Sequence, residues 1–303
     1  MSASVLVPGS RRGAESMARA AVKGRSLWDD ARRRLLRNRA AVAGMGVLAF
    51  LIVAAIAGPY LTPYAYDAVN KADVWLPPLR HGHLLGTDAL GRDLLARLLM
   101  GLRVSLAIGL VATAVSLAIG VSWGAVAGFV GGRVDEAMMR FVDVLYSLPF
   151  IFFVILLMVT FGSNIVLIFV AIGAVEWLTM SRIVRGQTLT LKHKEFVEAA
   201  RAAGLSRGAI IARHIVPNLL GPVVVYVTLT IPAVILAESF LSFLGLGVQP
   251  PMASLGTLIA GGASDMELAP WLLIFPSGVM VVTLMSFNFI GDGLRDAIDP
   301  KDR

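Results

Sequence analysis

The longest uncharged stretch of the chain, residues 144–175, decides the fold and reads VLYSLPFIFFVILLMVTFGSNIVLIFVAIGAV. Its 32 residues are too many for one crossing, because a hydrocarbon core about 30 Å thick needs about 20 apolar residues in a helix. The turn-forming triplet Gly162-Ser163-Asn164 divides the stretch into two apolar runs. It therefore predicts two membrane-spanning helices, one ending near Phe161 and one running from Ile165 to about Ile183.

Four other uncharged stretches each have the length of a single crossing: residues 40–66, 104–132, 215–237 and 268–291. Together with the divided stretch, they predict an all-α integral membrane protein with six transmembrane helices. The composition agrees, since 57% of the residues are hydrophobic, 16% are charged and the mean hydropathy is +0.77. A soluble globular domain is excluded by these values.

The basic residues fix the orientation. An even number of spans places both termini on one side of the membrane, and that side carries 22 of the 27 lysines and arginines. By the positive-inside rule both termini are cytoplasmic. The net charge of +7 therefore reflects membrane topology, and we predict no nucleic-acid partner. The 39 residues before the first span are longer than a signal-peptide n-region, which predicts an uncleaved anchor.

These boundaries divide the chain into a basic cytoplasmic N-terminal segment (1–40), a six-helix domain (41–292) and a cytoplasmic tail (293–303). The basic segment ends in a helix-prone stretch suited to anionic membrane lipid. In the outer loop, 62–103, we predict a short amphipathic helix that Asp88 caps and that reaches Leu99.

Glycines and prolines in the spans predict how they pack. Gly120, Gly124 and Gly128 lie four residues apart, so they share one helix face, where a second helix can pack closely. The fifth span contains Pro222 and Pro232 and is expected to be irregular.

The cytoplasmic loop 184–217 is too helix-prone to be a simple connector. A helix is predicted from Glu195 to Ala203, and Gly204 ends it at a position that favours positive φ. Ser206 is placed to cap a second short helix that runs through Arg213. Two short helices at an angle, with small side chains at the corner, predict a surface that docks onto a partner protein.

Three motifs in this loop carry a family resemblance. Glu198-Ala199-Ala200 is followed after three residues by Gly204 and after nine more by His214-Ile215-Val216-Pro217. This arrangement resembles the coupling loop of binding-protein-dependent ABC importer permeases. His214 and Val216 depart from the family pattern of Ile, any residue, Leu, Pro, and this form is similar to the peptide-transporter branch.

Other motifs extend the resemblance over nearly the whole chain. They are Gly86-Thr87-Asp88 with Gly91-Arg92-Asp93, the segment from Ser239 to Gly247, and Gly291-Asp292-Gly293-Leu294-Arg295-Asp296. In this order and spacing they are similar to the C-type subunit of oligopeptide permeases.

The resemblance implies a type I ABC importer transmembrane-domain fold in the bacterial inner membrane. It also implies a heterodimer with a second permease subunit, two ATP-binding subunits, an extracytoplasmic peptide-binding protein and a peptide substrate. The residues implied to contact an ATPase are Glu198, Ala199, Ala200, Gly204, Leu205 and Pro217. ATP and Mg would be used by the partner ATPases. This chain is expected to bind no cofactor and to be no enzyme, because it has no Gly-rich phosphate loop ending in Gly-Lys-Ser/Thr.

Polar residues within spans are candidates for the translocation path. Glu238, Asn164 and Asn288 are predicted to line or gate it. For Glu176, near an end of the fourth span, we predict interfacial solvation or an ion pair with Arg182 or Arg185, with a role in the path as the alternative.

Metal chemistry is not predicted. The chain has no cysteine, and its four histidines are scattered. His81 and His83 are close in sequence but are interpreted as surface residues of the outer loop.

Three other functions stay open at this point. An ABC permease for dipeptides, nickel or glutathione fits the same motifs. A proton-coupled secondary peptide transporter would need carboxylates or histidines near mid-span and usually an internal repeat. An intramembrane hydrolase would need a nucleophile and a base at matching depth, and the histidines do not meet that requirement.

Overall fold

A computed structural model describes residues 27–162 and 164–298. Within these ranges the helices are α1 Leu27–Arg37, α2 Arg39–Leu61, α3 Leu94–Val130, α4 Gly132–Ser147, α5 Phe150–Phe161, α6 Ile165–Leu191, α7 Glu195–Ala202, α8 Arg207–Ile210, α9 Val216–Phe243, α10 Leu255–Ser264 and α11 Trp271–Ile298. A 3-10 turn, Lys71–Asp73, lies in the outer loop, and a π-helical turn, Ile211–Ile215, joins α8 to α9. Most of the predicted basic segment and the last residues of the predicted tail lie outside the described residues.

Six crossings are present if one of them is a broken helix. Five helical stretches are long and apolar enough to cross a membrane: α2, α3, α6, the run Arg207–Phe243, and α11. The sixth crossing is the pair α4 and α5, whose axes differ by 81° across a short break near Pro149. The predicted all-α fold with six spans is confirmed, and the third span is bent.

Helix α3 begins earlier than predicted. The Asp93 carboxylate accepts the backbone N–H of Ala96 at 2.8 Å and caps a single helix of 37 residues. That helix is about 55 Å long at 1.5 Å per residue and extends well beyond the hydrocarbon core. The prediction of a separate helix capped by Asp88 and ending at Leu99 is wrong. Asp88 instead accepts backbone N–H groups of Leu90 and Arg92 within the loop.

The glycine face of α3 is a packing seam, as predicted. A Cβ on Gly120 would lie 3.1 Å from the carbonyl oxygen of Trp177, and one on Gly128 would lie 2.9 Å from that of Arg185. Gly124 faces the backbone of Ser181 in the same way. Because a side chain would collide with the backbone of α6, the two helices approach this closely only through glycine.

The cytoplasmic end of the fifth span is continuous with the loop that precedes it. We predicted that the second loop helix ends at Arg213, but α8 passes through the π-helical turn directly into α9. Pro217 follows this turn and has no N–H to donate, which accounts for an irregular turn at this point. Beyond it, α9 remains one helix although it contains Pro222 and Pro232.

A short helix on the outer side, α10, was not predicted. Its 10 residues are too few to cross the membrane. Ser254 and Thr257 form a reciprocal capping box at its start, each side chain bonding the other's backbone N–H.

Candidate functional site

The loop helix α7 ends in a Schellman motif. Gly204 has φ +77°, its N–H donates to the Arg201 carbonyl at 3.0 Å, and the Leu205 N–H donates to the Ala200 carbonyl at 3.2 Å. An L-residue adopts this φ only at an energetic cost, so glycine at 204 sets the direction in which the chain leaves α7. The Ser206 hydroxyl then accepts the Ala209 N–H and caps α8, as predicted.

One face of α7 is anchored on the membrane helices. Val197 is fully buried, and Ala200 is 6% exposed. Both belong to an apolar cluster that also holds Phe129 of α3, Val184 of α6 and Leu219 of α9. This cluster links α7 to residues of three spans.

The opposite face of α7 is open. Glu198, Ala199 and Gly204 are exposed, and no atom lies within 4 Å of where a Cβ on Gly204 would be. Of the other predicted contact residues, Leu205 is half-buried and Pro217 is exposed at the foot of α9. The structure thus brings Glu198, Ala199 and Gly204 together on one accessible surface.

Beside this surface lies a polar hollow that the sequence did not predict. The Arg201 guanidinium stands over the Phe129 ring, 5.2 Å from its centroid. The hollow has a volume of about 410 Å³ and is lined by Phe129, Val130, Arg201, Leu205, Arg207 and Ile210. Phe129 lies more than 70 residues earlier in the chain, so only the fold shows that it belongs here.

Glu238 lies in a buried cluster of hydroxyl groups. Ser242 and Ser254 each donate to its carboxylate at 2.6 Å, and Ser105 donates at 3.5 Å. The Ser105 hydroxyl also accepts the Leu255 N–H at 3.0 Å. Glu238 has 0% exposure, so in this conformation its carboxylate joins α3, α9 and α10 and faces no surface of the chain.

The other two predicted path residues lie elsewhere. Asn164 is exposed and caps α6 by accepting the Val166 N–H at 2.9 Å. Asn288 is exposed on α11. The described contacts do not join these two residues to each other or to Glu238.

The position and partners of Glu176 differ from those predicted. Arg182 pairs with Asp143 at 2.8 Å, and Arg185 pairs with Asp135 through two bonds of 2.6 and 2.7 Å. Neither arginine is therefore the partner of Glu176. Because α6 starts at Ile165, Glu176 lies near the middle of the span and not at its end. It lines a cavity of about 510 Å³ between α6 and the bend of α4 and α5.

The interpretation of His83 as a surface residue is wrong. His83 is 3% exposed, its Nδ1 lies 2.8 Å from a carboxylate oxygen of Asp93, and its ring stacks on Tyr64 at 4.2 Å. Asp73 lies beside both histidines, and the hydrogen bond from His81 lowers the pKa of the Asp73 carboxyl below its ordinary value. The group holds the outer loop to the start of α3. Among the described residues, no three or more His, Cys, Asp or Glu side chains come together in a way that could hold a metal ion.

Comparison with known proteins identifies the family. The model of the binding-protein-dependent transport system inner membrane component family matches residues 120–303, which include α7 and the exposed surface around Gly204. The model of the N-terminal TM domain of oligopeptide transport permease C matches residues 26–78. The chain belongs to the binding-protein-dependent transport system inner membrane component family.

Relatives in this family are similar along their whole lengths. The oligopeptide transport system permease protein OppC of Escherichia coli K12 is 58% identical over 93% of this chain and 94% of its own. OppC of Bacillus subtilis is 44% identical over 93% and 92%. The dipeptide transport system permease protein DppC of Bacillus subtilis is 44% identical over 99% and 92%.

The fold is that of type I ABC importer membrane domains. The structure of the methionine ABC transporter MetNI in an inward-facing conformation matches with a TM-score of 0.54 and 17% identity. The match covers 67% of this chain and 96% of the MetNI chain. The predicted fold is confirmed.

Family membership settles several predictions. The chain is an inner-membrane transport component of an ABC importer and not an enzyme. Such a component works with a partner permease, an ATPase and a binding protein. The stand-alone proton-coupled transporter and the intramembrane hydrolase are therefore wrong.

Proposed function

We propose that this chain is one permease subunit of an ATP-driven importer that carries oligopeptides across a bacterial inner membrane. It forms the translocation path with a second, homologous permease subunit. Two ATPase subunits hydrolyse ATP with Mg on the cytoplasmic side, and an extracytoplasmic binding protein delivers the peptide. The match of residues 26–78 to the N-terminal TM domain of oligopeptide transport permease C supports oligopeptides as the substrate. Overall identity does not separate the two classes, because OppC and DppC of Bacillus subtilis are both 44% identical to this chain.

One observation carries the coupling part of the proposal: one face of α7 is buried against the membrane helices, and the opposite face is exposed. Its buried Val197 and Ala200 join three spans, while Glu198 and Ala199 remain exposed. This geometry suits a helix that docks in a cleft of an ATPase and passes its movement to the membrane helices. The site comprises the exposed residues Glu198, Ala199, Gly204 and Pro217 and the half-buried Leu205, with the arginine-lined hollow beside it. Ala200 supports this surface from the buried face of α7.

Purification and uptake test this function together. A tag on this chain should retain a second permease and two copies of ATPase per complex after mild solubilisation. In proteoliposomes with the binding protein, the complex should take up tetrapeptides when ATP is supplied and should stop when ATP is replaced by a non-hydrolysable analogue. Uptake by the chain alone without ATP would contradict the proposal. Competition between dipeptides and tetrapeptides would decide the substrate length.

A further inference from the structure

Glu176 is a carboxylate near the middle of the apolar helix α6. It lies 11 residues after Ile165, about 16 Å along a helix of 27 residues, which places it within the membrane-spanning part of the chain. An ionised group at this depth is costly unless a charge or polar ligand compensates it. Its presence at this position calls for a cationic or hydrogen-bonding partner.

That cation is not supplied by the described residues nearby. The two arginines of the same helix are already bound, Arg182 by Asp143 and Arg185 by Asp135. Tyr226 of α9 lies close enough to Glu176 for the two groups to interact electrostatically, but a neutral phenol does not supply a positive charge. The carboxylate of Glu176 therefore remains available to a cation from outside this part of the chain.

The space in front of Glu176 is concave and has aromatic walls. Its volume is about 510 Å³, and Tyr146, Phe153 and Trp177 line it. The backbone at Pro149, where the third span bends, forms one side. Apolar walls around one fixed charge are typical of sites that hold a small organic ion.

One face of the Tyr146 ring already holds the Arg182 guanidinium, 4.3 Å from the centroid, and Trp177 is buried edge-to-face against Trp123. The ring that can offer its π face to an ammonium group is therefore Phe153.

We propose that Glu176 is a peptide-contact residue whose carboxylate binds an ammonium group of the transported peptide as it crosses the membrane. The ammonium is either the free α-amino group or a lysine side chain of the peptide. The aromatic walls hold the adjacent side chains. This inference rests on the proposed function, because it assumes that peptides pass this cavity.

The experiment compares two tripeptides in the reconstituted importer with its binding protein and ATPases. Ala-Lys-Ala and Ala-norleucine-Ala share the α-amino group and differ in one side-chain charge. If the α-amino group binds, Glu176→Gln slows uptake of both at least about tenfold; if the lysine side chain binds, only Ala-Lys-Ala is slowed. Glu176→Asp should restore part of the rate. Glu136→Gln, at an exposed glutamate on the cytoplasmic side, should change neither rate.

A second measurement separates peptide contact from a structural role. The natural chain has no cysteine, so Ala174→Cys places a single thiol in this chain at the cavity wall. Peptide and ATP should slow alkylation of that thiol, and the protection should disappear when Glu176→Gln is added.

Three results would overturn the proposal. Equal uptake by wild type and Glu176→Gln would show that no ammonium is bound. Loss of the second permease from the purified Glu176→Gln complex would assign the carboxylate to an ion pair between subunits. Protection of the thiol that persists without the carboxylate would remove its role in binding. If the wild-type complex takes up neither peptide, the proposed function itself fails.

Discussion

Single residues determine whether the exposed surface around Gly204 keeps its shape. At Gly204 the backbone has a positive φ and the surrounding space is empty, so the conformation alone demands glycine. At Gly208, in α8, the surrounding space is equally empty but the backbone is helical. Substitutions at the two glycines therefore separate the effect of the positive φ from the effect of adding a side chain to an open position.

We expect Gly204→Val to reduce ATP-driven peptide uptake at least about tenfold, because a left-handed conformation costs about 1–2 kcal/mol or more with a β-branched residue. ATP hydrolysis should continue, since the ATPases are separate chains. Gly204→Asn should retain more uptake, because asparagine tolerates this conformation. Gly208→Val is the control and should transport normally. Both activities are measured in the same proteoliposomes, and normal uptake by Gly204→Val would contradict a docking role for the loop.

The Glu238 carboxylate is the shared acceptor of three buried hydroxyl groups. Replacing Glu238 with Ala leaves the hydroxyls of Ser105, Ser242 and Ser254 without their shared acceptor, at a cost of about 1–3 kcal/mol for each hydroxyl that stays unsatisfied. Glu238→Ala should lower the apparent melting temperature of the purified complex by about 5 °C or more. Glu238→Gln keeps an acceptor and should have a smaller effect. Glu267→Ala, at an exposed position, should leave the melting temperature unchanged.

At the scale of elements, the contact between α3 and α6 depends on the absence of side chains at three glycines. Because a Cβ at Gly128 would meet both the side chain of Thr188 and the backbone of Arg185 within 3 Å, the helices would have to separate. Such overpacking costs about 1–3 kcal/mol.

Gly128→Ala should therefore lower the yield and the melting temperature of the complex. Gly46→Ala, in α2, has no atom within 4 Å of the added Cβ and serves as the matched control. Equal thermal stability of the two variants would show that the seam is not closely packed in the membrane.

The elements themselves were largely predictable, since the four uncharged stretches with the length of one crossing each lie mainly in one long helix. The longest stretch was divided as predicted at 162–164, but its bend near Pro149 was not predicted.

The start of α3 was missed because Arg97 and Arg103 look like the end of an apolar run. In the fold, Arg97 contacts Asp88 and is 8% exposed. Arg103 donates to the carbonyls of Ala55 and Ile56 at the end of α2, at 2.8 and 2.7 Å. The Asp88 carboxylate pairs with Arg97, and backbone carbonyls accept the hydrogen bonds of Arg103. The local sequence of α3 gives no sign of these contacts.

In the site too, features set by the local sequence could be predicted and features set by tertiary contacts could not. Gly204 and Ser206 act within a few residues of themselves, so capping chemistry predicted the end of α7 and the start of α8. It did not predict the continuation of α8 into α9. The surroundings of Glu176 and Glu238 depend on α4, α5 and α10, which are distant in sequence. Their partners could not be predicted, and the ion pairs expected for Glu176 were wrong.

For the whole molecule, the orientation in the membrane is open to a direct test. The chain has no cysteine, so single thiols can be introduced without removing any. Ala68→Cys, exposed in the outer loop, should react in intact cells with a membrane-impermeant maleimide. Glu136→Cys, exposed on the opposite side, should react only in inside-out vesicles. The reverse pattern would contradict the topology inferred from the arginines and lysines.

The unbroken passage from α8 through the π-helical turn into α9 has a mechanical consequence. Arg207–Phe243 is a rod of 37 residues, about 55 Å long. A tilt of about 5° at its cytoplasmic end swings the far end through about 5 Å, if the rod stays stiff. Glu238 lies near that far end, and its carboxylate accepts a hydrogen bond from the Ser254 hydroxyl at the start of α10. On the proposed function, a small movement imposed on α8 by an ATPase is therefore enlarged at the outer end of α9 and reaches the start of α10 through Ser254.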